Sequence, residues 1–339
     1  MPRPVQNPPN PWSSAEVDWE GEPPPATLEV FEEEARSALS KNDSPDVGFR
    51  FSVNPYRGCY HGCAYCYARP SHEYLGWGAG TDFERKIVIK RNIAKLLRRE
   101  FERPSWEGET VVFSGVTDCY QPLEASYRLT RACLEVCLAF QNPVAIITKG
   151  AVIQRDAELL AELHQKARVR VMLSIPFATD EMGRRFEPYA SPISKRFETL
   201  RRLHAVGVPV GVSLSPMIPG VNDADIPAIL GRAREAGADV CFMTMLRLPS
   251  SVRDVFDVRL EEVLPDRANK VRNAVKEMRR GRWNETGFGA RMRGQGERWA
   301  ATHALFERYR VKYGYGEADE RTVFESTFRR PTSQLALFE

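Results

Sequence analysis

Six short apolar runs, each followed by a longer amphipathic one, recur between about residue 49 and residue 280. Strands are predicted at 50–54, 110–114, 144–148, 169–174, 208–214 and 240–246. Helices are predicted at 86–101, 124–140, 153–165, 194–205, 224–236 and 260–280. Each strand is short and almost wholly apolar, as a parallel strand covered on both faces must be. Alternating strands and helices build such a sheet, with the helices packed outside it. Gly207 and Gly237 stand between a helix and the next strand, where a helix C-cap favours glycine. The expected fold class is therefore α/β: a partial (βα)6 TIM-like barrel with an N-terminal extension and a C-terminal helical tail. In such barrels chemistry collects at the C-terminal ends of the strands.

The flanks differ in character. Residues 1–46 are rich in proline, glutamate and serine, with Pro23-Pro24-Pro25 and the acidic run Glu32-Glu33-Glu34. They read as a partly ordered extension. The barrel is assigned to 47–281, an arginine-rich helical region with a helix near 297–313 to 282–328, and an extended tail to 329–339.

Composition matters mainly through what it excludes. An apolar share of 42% supports a substantial core, and a net charge of +3 is not that of a polycation. Arginine greatly outnumbers lysine, which favours planar contacts to phosphate or carboxylate but also follows from genome composition. Met1 to Trp12 contains no apolar signal region, and no later run approaches the length of a membrane span. The chain is read as cytoplasmic, with no membrane partner, in a compartment that keeps thiols reduced.

Three of the seven cysteines fall in one run, Asn54-Pro55-Tyr56-Arg57-Gly58-Cys59-Tyr60-His61-Gly62-Cys63-Ala64-Tyr65-Cys66-Tyr67. The spacing is C-x3-C-x2-C, directly after the first predicted strand. A structural zinc site wants four protein ligands, and His61 is too close in the loop to supply the fourth easily. An odd cysteine count without a secretory signal argues against a disulfide framework. Three thiolates can instead hold three corners of a cubane iron–sulfur cluster. Electron-carrying clusters have all four irons capped by protein, so an open iron points to a small molecule bound there for chemistry. Cys59, Cys63 and Cys66 are the expected metal ligands. Polar residues also recur at the strand ends, in the segments 114–124, Thr148-Lys149-Gly150, Ser174, Ser213 to Asp223, and Arg247.

In these residues the chain resembles the radical S-adenosylmethionine (radical SAM) superfamily, and within it the spore photoproduct lyase-like group, often labelled DNA repair photolyases. The resemblance rests on Asn54–Gly58, the three cysteines, Tyr65, Tyr67, Thr117–Glu124, Thr148-Lys149 and Ser215–Asp223, and spans roughly residues 49–300. It implies a [4Fe–4S] cluster and SAM as cofactors, and an electron donor such as flavodoxin or ferredoxin. It implies that a reduced cluster splits SAM into methionine and a 5′-deoxyadenosyl radical, which abstracts hydrogen from an unreactive C–H bond. Thr117 and Asp118 would accept from the SAM amine. Thr148, Lys149, Ser174 and Ser213 would complete the cofactor site. Any one of these could equally be a helix or loop cap.

In the lyase group a cysteine donates hydrogen to the product radical and tyrosines relay it. Tyr65 and Tyr67 loosely resemble those tyrosines, although aromatic residues beside the third cysteine also pack SAM. No residue clearly matches the donor cysteine. Cys119, after the second strand, is a candidate, against the reading that a free cysteine is a small buried hydrophobe. Cys133, Cys137 and Cys241 are expected in the core.

The expected substrate is a nucleic acid, a DNA lesion or modified base, which would have to be extruded from a duplex. Arg279, Arg280, Arg282, Arg291, Arg293 and Arg298 support that reading. So does the terminal Gln334-Leu335-Ala336-Leu337-Phe338, which resembles the peptide by which bacterial replication and repair proteins bind the sliding clamp. Its apolar side chains would fill a groove, and Gln334 would set the register. Two rivals stay open: a radical SAM enzyme acting on a small molecule or peptide, and a non-catalytic iron–sulfur protein recruited to the clamp.

Overall fold

The computed structural model describes residues 27–316 and 326–331. Ten strands run in chain order: β1 (Glu29–Glu33), β2 (Leu39–Lys41), β3 (Phe51–Val53), β4 (Tyr56–Arg57), β5 (Lys86–Lys90), β6 (Val111–Phe113), β7 (Val144–Thr148), β8 (Val169–Ser174), β9 (Val210–Met217) and β10 (Val240–Met245). Seven form one sheet in the order β10-β9-β8-β7-β6-β3-β2. Six of these are parallel and adjacent in chain order, and β2 alone is antiparallel, against β3. Adjacent placement of consecutive parallel strands requires a crossover between each pair. The helices Leu129–Ala139, Ala157–Lys166, Ile193–Ala205 and Ile226–Glu235 supply four of the crossovers. The architecture is the expected partial, TIM-like barrel.

Alternate residues of the strands seal the core. Val53, Phe113, Ile146, Val171 and Val210 stand in register across five strands, and each is buried. That row fixes the strand ends, and with them Ser174 opposite Ser213 on the C-terminal rim. The loop from Gly281 to Gln295 folds over the end of β10, where the Met245 amide donates to Met292 O at 2.9 Å. After the helix Gly296–Lys312, Gly316 bridges to Val240.

Several expected elements are corrected. The run 86–101 is not one helix. Its first part, Lys86–Lys90, is β5, which joins β1 and β4 in a separate three-stranded sheet, and the helix is Ile93–Glu102. The β-branched triplet Ile87-Val88-Ile89 suits a strand better than a helix. The expected helix at 124–140 is interrupted at Arg128, whose φ is +53°. That at 260–280 gives way to Val252–Val263 and Ala268–Glu277, separated at Pro265, where an interior amide donor would be lost. In the extension, residues 29–33 and 39–41 form β1 and β2.

Residues 326–331 lie beside the loops that enter β6 and β7. Phe328 stacks on Phe140 with centroids 6.1 Å apart, and Arg330 donates to the carbonyls of Phe101, Arg103 and Trp106. The clamp-like residues Gln334, Leu335, Leu337 and Phe338 lie outside the described residues.

Candidate radical SAM site

The cysteine loop leaves the C-terminal end of β3 through Asn54 and the two-residue strand β4. Two glycines shape it. Gly58 has φ +76° and Gly62 φ +65°, the left-handed region that glycine tolerates best. A Cβ at Gly58 would meet His72 Cε1 at 2.9 Å and Lys86 O at 3.0 Å. The loop is then pinned from three sides. Cys59 N donates to Phe83 O at 2.9 Å, and Ala64 N to Phe186 O at 2.9 Å. Gln121, in the loop after β6, accepts from Tyr60 N at 2.9 Å and donates to Gly58 O at 3.2 Å.

Arg69, fully buried three residues past Cys66, is the strongest fastener. It donates to Cys63 O through both Nε (3.0 Å) and a terminal nitrogen (2.8 Å), and to Ala79 O (2.8 Å) and Gly80 O (3.0 Å). The same guanidinium meets Glu84 at 2.5 Å.

Cys59, Cys63 and Cys66 are free thiols; the first two are buried and Cys66 is half-buried. They are near enough to one another for their charges to interact. Burial raises the Cys63 thiol, Lys149 lowers it, and Glu187, Cys66 and Cys59 raise it further. Burial and the Cys59 charge raise Cys66, while Arg69 and Lys149 lower it. Among the described residues no group of three His, Cys, Asp or Glu side chains converges on a single metal ion. Three thiols on one loop, with cationic Lys149 and Arg69 beside them, fit the donor set of an anionic polynuclear cluster that leaves one iron open.

Around the cysteines the structure gathers most of the residues expected from sequence, but it engages their polar atoms with one another. Asp118 accepts from the Thr148 hydroxyl at 2.6 Å, from Tyr120 N at 2.9 Å and from Lys149 N at 2.8 Å, and lies 3.4 Å from His61 Nδ1. Burial would raise its pKa, but His61, Thr148 and the Lys149 amide hold it well below the usual carboxylate range. Burial lowers His61, and the Cys59 and Asp118 charges outweigh it, pushing the imidazole up to about 9. Thr117 donates to Tyr56 O at 3.0 Å, and Thr148 accepts from Gly150 N at 2.8 Å. These residues brace the cysteine loop against the ends of β6 and β7. Lys149 Nζ stands 3.9 Å from Glu187 and 5.8 Å from the Tyr65 ring centroid. Ser174 and Ser213 are buried as register partners.

The two tyrosines are unlike. Tyr65 is buried and donates its hydroxyl to Glu187. Tyr67 is 51% exposed and donates to Gly115 O at 3.0 Å. Cys119 departs from expectation. It has no exposed surface and sits among core residues, with its amide on Ser114 Oγ at 2.9 Å. With its thiol buried, it presents no surface to a substrate in this structure. Cys133, Cys137 and Cys241 are buried, as expected of core residues.

Sequence reading missed the hub formed by Glu187 and Arg196. Both are buried. Glu187 pairs with Arg196 at 2.5 Å and receives Tyr65, while Arg196 also donates to Ser174 O at 2.9 Å and Ser191 O at 2.8 Å. Of the six arginines offered as a basic patch, three are already engaged. Arg279 is spent on backbone carbonyls, Arg291 on Asp46 and Ser44, and Arg298 on Glu277.

The model of the radical SAM superfamily matches residues 53–245, from the end of β3 to the end of β10. The chain belongs to the radical SAM superfamily. Its cofactors are accordingly a [4Fe–4S] cluster and SAM, and it is a radical SAM enzyme. An uncharacterised protein of Mycobacterium tuberculosis is 35% identical over 244 residues, covering 71% of this chain and 72% of the relative. One from Methanocaldococcus jannaschii is 25% identical over 198 residues, covering 58% and 71%. Among solved structures, spore photoproduct lyase complexed with dinucleoside spore photoproduct aligns with a TM-score of 0.59 at 18% identity, over 84% of this chain and 80% of that one. The likeness extends the shared fold beyond the matched family segment. Among the described residues no helix is long and apolar enough to cross a membrane.

Proposed function

We propose that Cys59, Cys63 and Cys66 hold the [4Fe–4S] cluster, and that the enzyme directs its radical chemistry at a nucleic acid carrying a lesion or modified base. The observation that carries the first part is the glycine-shaped loop itself: three free thiols, braced by Arg69 and Gln121, with Lys149 beside them. When bound, the reduced cluster supplies one electron that breaks a carbon–sulfur bond of SAM, giving methionine and a 5′-deoxyadenosyl radical. The chain's part is to position and to exclude. Arg69 fixes the Cys63 backbone, and Gln121 fixes the loop entry. Lys149 offers a cation, held charged by the negative groups around it, to an anionic cofactor group. The buried Tyr65 hydroxyl is committed to Glu187, which keeps its ring in place beside Cys66.

The nucleic-acid reading is supported by the likeness in fold to a lyase solved with a dinucleoside photoproduct, and by exposed Arg280, Arg282 and Arg293. Recruitment through Gln334, Leu335, Leu337 and Phe338 is a separate proposal resting on the sequence pattern. A peptide of residues 330–339 should bind the sliding clamp on the order of micromolar, and a Leu337→Ala/Phe338→Ala peptide should not.

Anaerobic reconstitution tests the first part. The protein should take up about four irons per chain and release 5′-deoxyadenosine from SAM when reduced. Alanine at Cys59, Cys63 or Cys66 should abolish both. Tight zinc with no reconstitutable cluster would overturn the reading.

A further inference from the structure

Among the described residues, three arginines carry a buried Nε with no hydrogen-bond partner: Arg247, Arg259 and Arg279. Arg259 reaches Glu262 at 3.4 Å, and Arg279 donates through its other nitrogens to the carbonyls of Leu246, Ala290, Arg291 and Arg293. Arg247 has only the Met292 thioether, at 3.8 Å, which is a weak acceptor. Among the described residues it has no carboxylate within ion-pair distance. The carboxylate whose charge reaches it, Asp46, is occupied by Arg291 and by the Gly289 amide. Its other charged neighbours, Arg291 and Arg279, repel it.

Arg247 is half-buried with its Nε sealed, and holding a guanidinium there beside two others without a counter-ion is costly. The location says what would offset that cost. Arg247 follows β10, on the face where the cysteine loop lies, and its guanidinium carbon sits 5.9 Å from the centroid of Tyr67. Tyr67 directly follows Cys66, exposes half its surface, and is fixed by its hydroxyl on Gly115 O. A cation and an aromatic ring, both held, thus stand together at the mouth of the site. Exposed Arg293 follows Met292 on the adjoining loop and adds positive charge there. A guanidinium fork matches the paired oxygens of a phosphate, and an exposed ring is a stacking platform for a base.

We propose that Arg247 receives a phosphodiester of the substrate next to the reacting nucleotide, beside Tyr67. This rests on the nucleic-acid reading above.

The test uses the full chain with its reconstituted cluster and a short fluorescein-labelled single-stranded DNA, titrated at several salt concentrations. Arg247→Gln should weaken binding about tenfold and reduce the salt slope by about 0.7, the share of one phosphate contact on a single strand. Arg247→Lys keeps the charge and loses the fork, so it should keep the slope and weaken binding less. That second variant carries the test if Arg247→Gln does not fold. Unchanged affinity and slope in both variants would overturn the proposal and leave the nucleic-acid reading standing. Loss of SAM binding with DNA affinity intact would also overturn it, assigning Arg247 to the cofactor carboxylate. If the unaltered protein binds no DNA, the nucleic-acid reading itself falls, and this assignment with it.

Discussion

Asp46 accepts from both the Arg291 guanidinium and the Gly289 amide, tying the loop between β2 and β3 to the loop folded over β10. β2 and β10 are the two edges of the seven-stranded sheet, so this contact fastens the open barrel across its gap. Only 5% of the Asp46 side chain and 18% of that of Arg291 remain exposed. An open sheet leaves unpaired edges. Here a polar contact between loops holds those edges together.

That contact should respond to acid. The Gly289 amide holds the Asp46 pKa below the ordinary carboxylate value against the effect of burial, with Arg291 adding to it. A depressed folded pKa contributes stability that is present above the unfolded value of about 3.9 and is lost as pH falls through the folded one. Asp46→Asn should therefore lower the thermal midpoint at pH 6 to 7 and differ less from the unaltered protein near pH 3. A gap between the two that stays constant across that range would contradict the assignment.

The Glu187–Arg196 pair should be worth more broken than kept. Glu187→Ala leaves Arg196 buried and uncompensated, at a cost of about 3–5 kcal/mol. Replacing both by methionine removes both charges and should recover much of that loss. Denaturant unfolding of the single and double variants measures it. Equal destabilisation by the single and the double change would mean that the pair is not coupled.

Cys119→Ala addresses the hydrogen-donor idea. A thiol with no exposed surface should act as core. The variant should lose on the order of 1 kcal/mol of stability, with iron content and the products formed from SAM unaltered. A changed product distribution would return Cys119 to the chemistry.

The parts of the molecule legible in the sequence were those encoded locally. β7 and β8 match their predicted limits, because apolar runs there end sharply in a polar residue or glycine. The cysteine loop was legible because its spacing is short-range. Lys86–Lys90 was hidden because an apolar triplet beside a helix reads as its first turn, and only pairing with β1, 57 residues earlier (Glu29 with Lys86), makes it a strand. Glu187 was hidden for the same reason on a larger scale. It meets Tyr65 across a separation of 122 residues, and nothing local marks a glutamate for burial. Thr117, Asp118 and Thr148 were found as a group, but no spacing could show that their polar atoms would be turned on one another and on nearby backbone.

Arg69 gives the most direct link between the fold and the cluster loop. Its guanidinium is the only side-chain donor to Cys63 O among the described residues, and it also satisfies the carbonyls of Ala79 and Gly80. Removing it takes a donor from the buried carbonyls of Cys63, Ala79 and Gly80 and strands the Glu84 carboxylate, which is 7% exposed. Each lost partner carries a desolvation cost of about 1–3 kcal/mol, more for a charged group. Arg69→Lys cannot replace the planar fork, since one ammonium does not span carbonyls on two segments. Both variants should therefore fold less stably and retain less than half of the iron after reconstitution and desalting, with the lysine variant no better than intermediate. Iron content measured beside circular dichroism separates loss of the cluster from loss of the fold. Full iron retention with unchanged stability in Arg69→Ala would show that the loop holds its shape without this clamp.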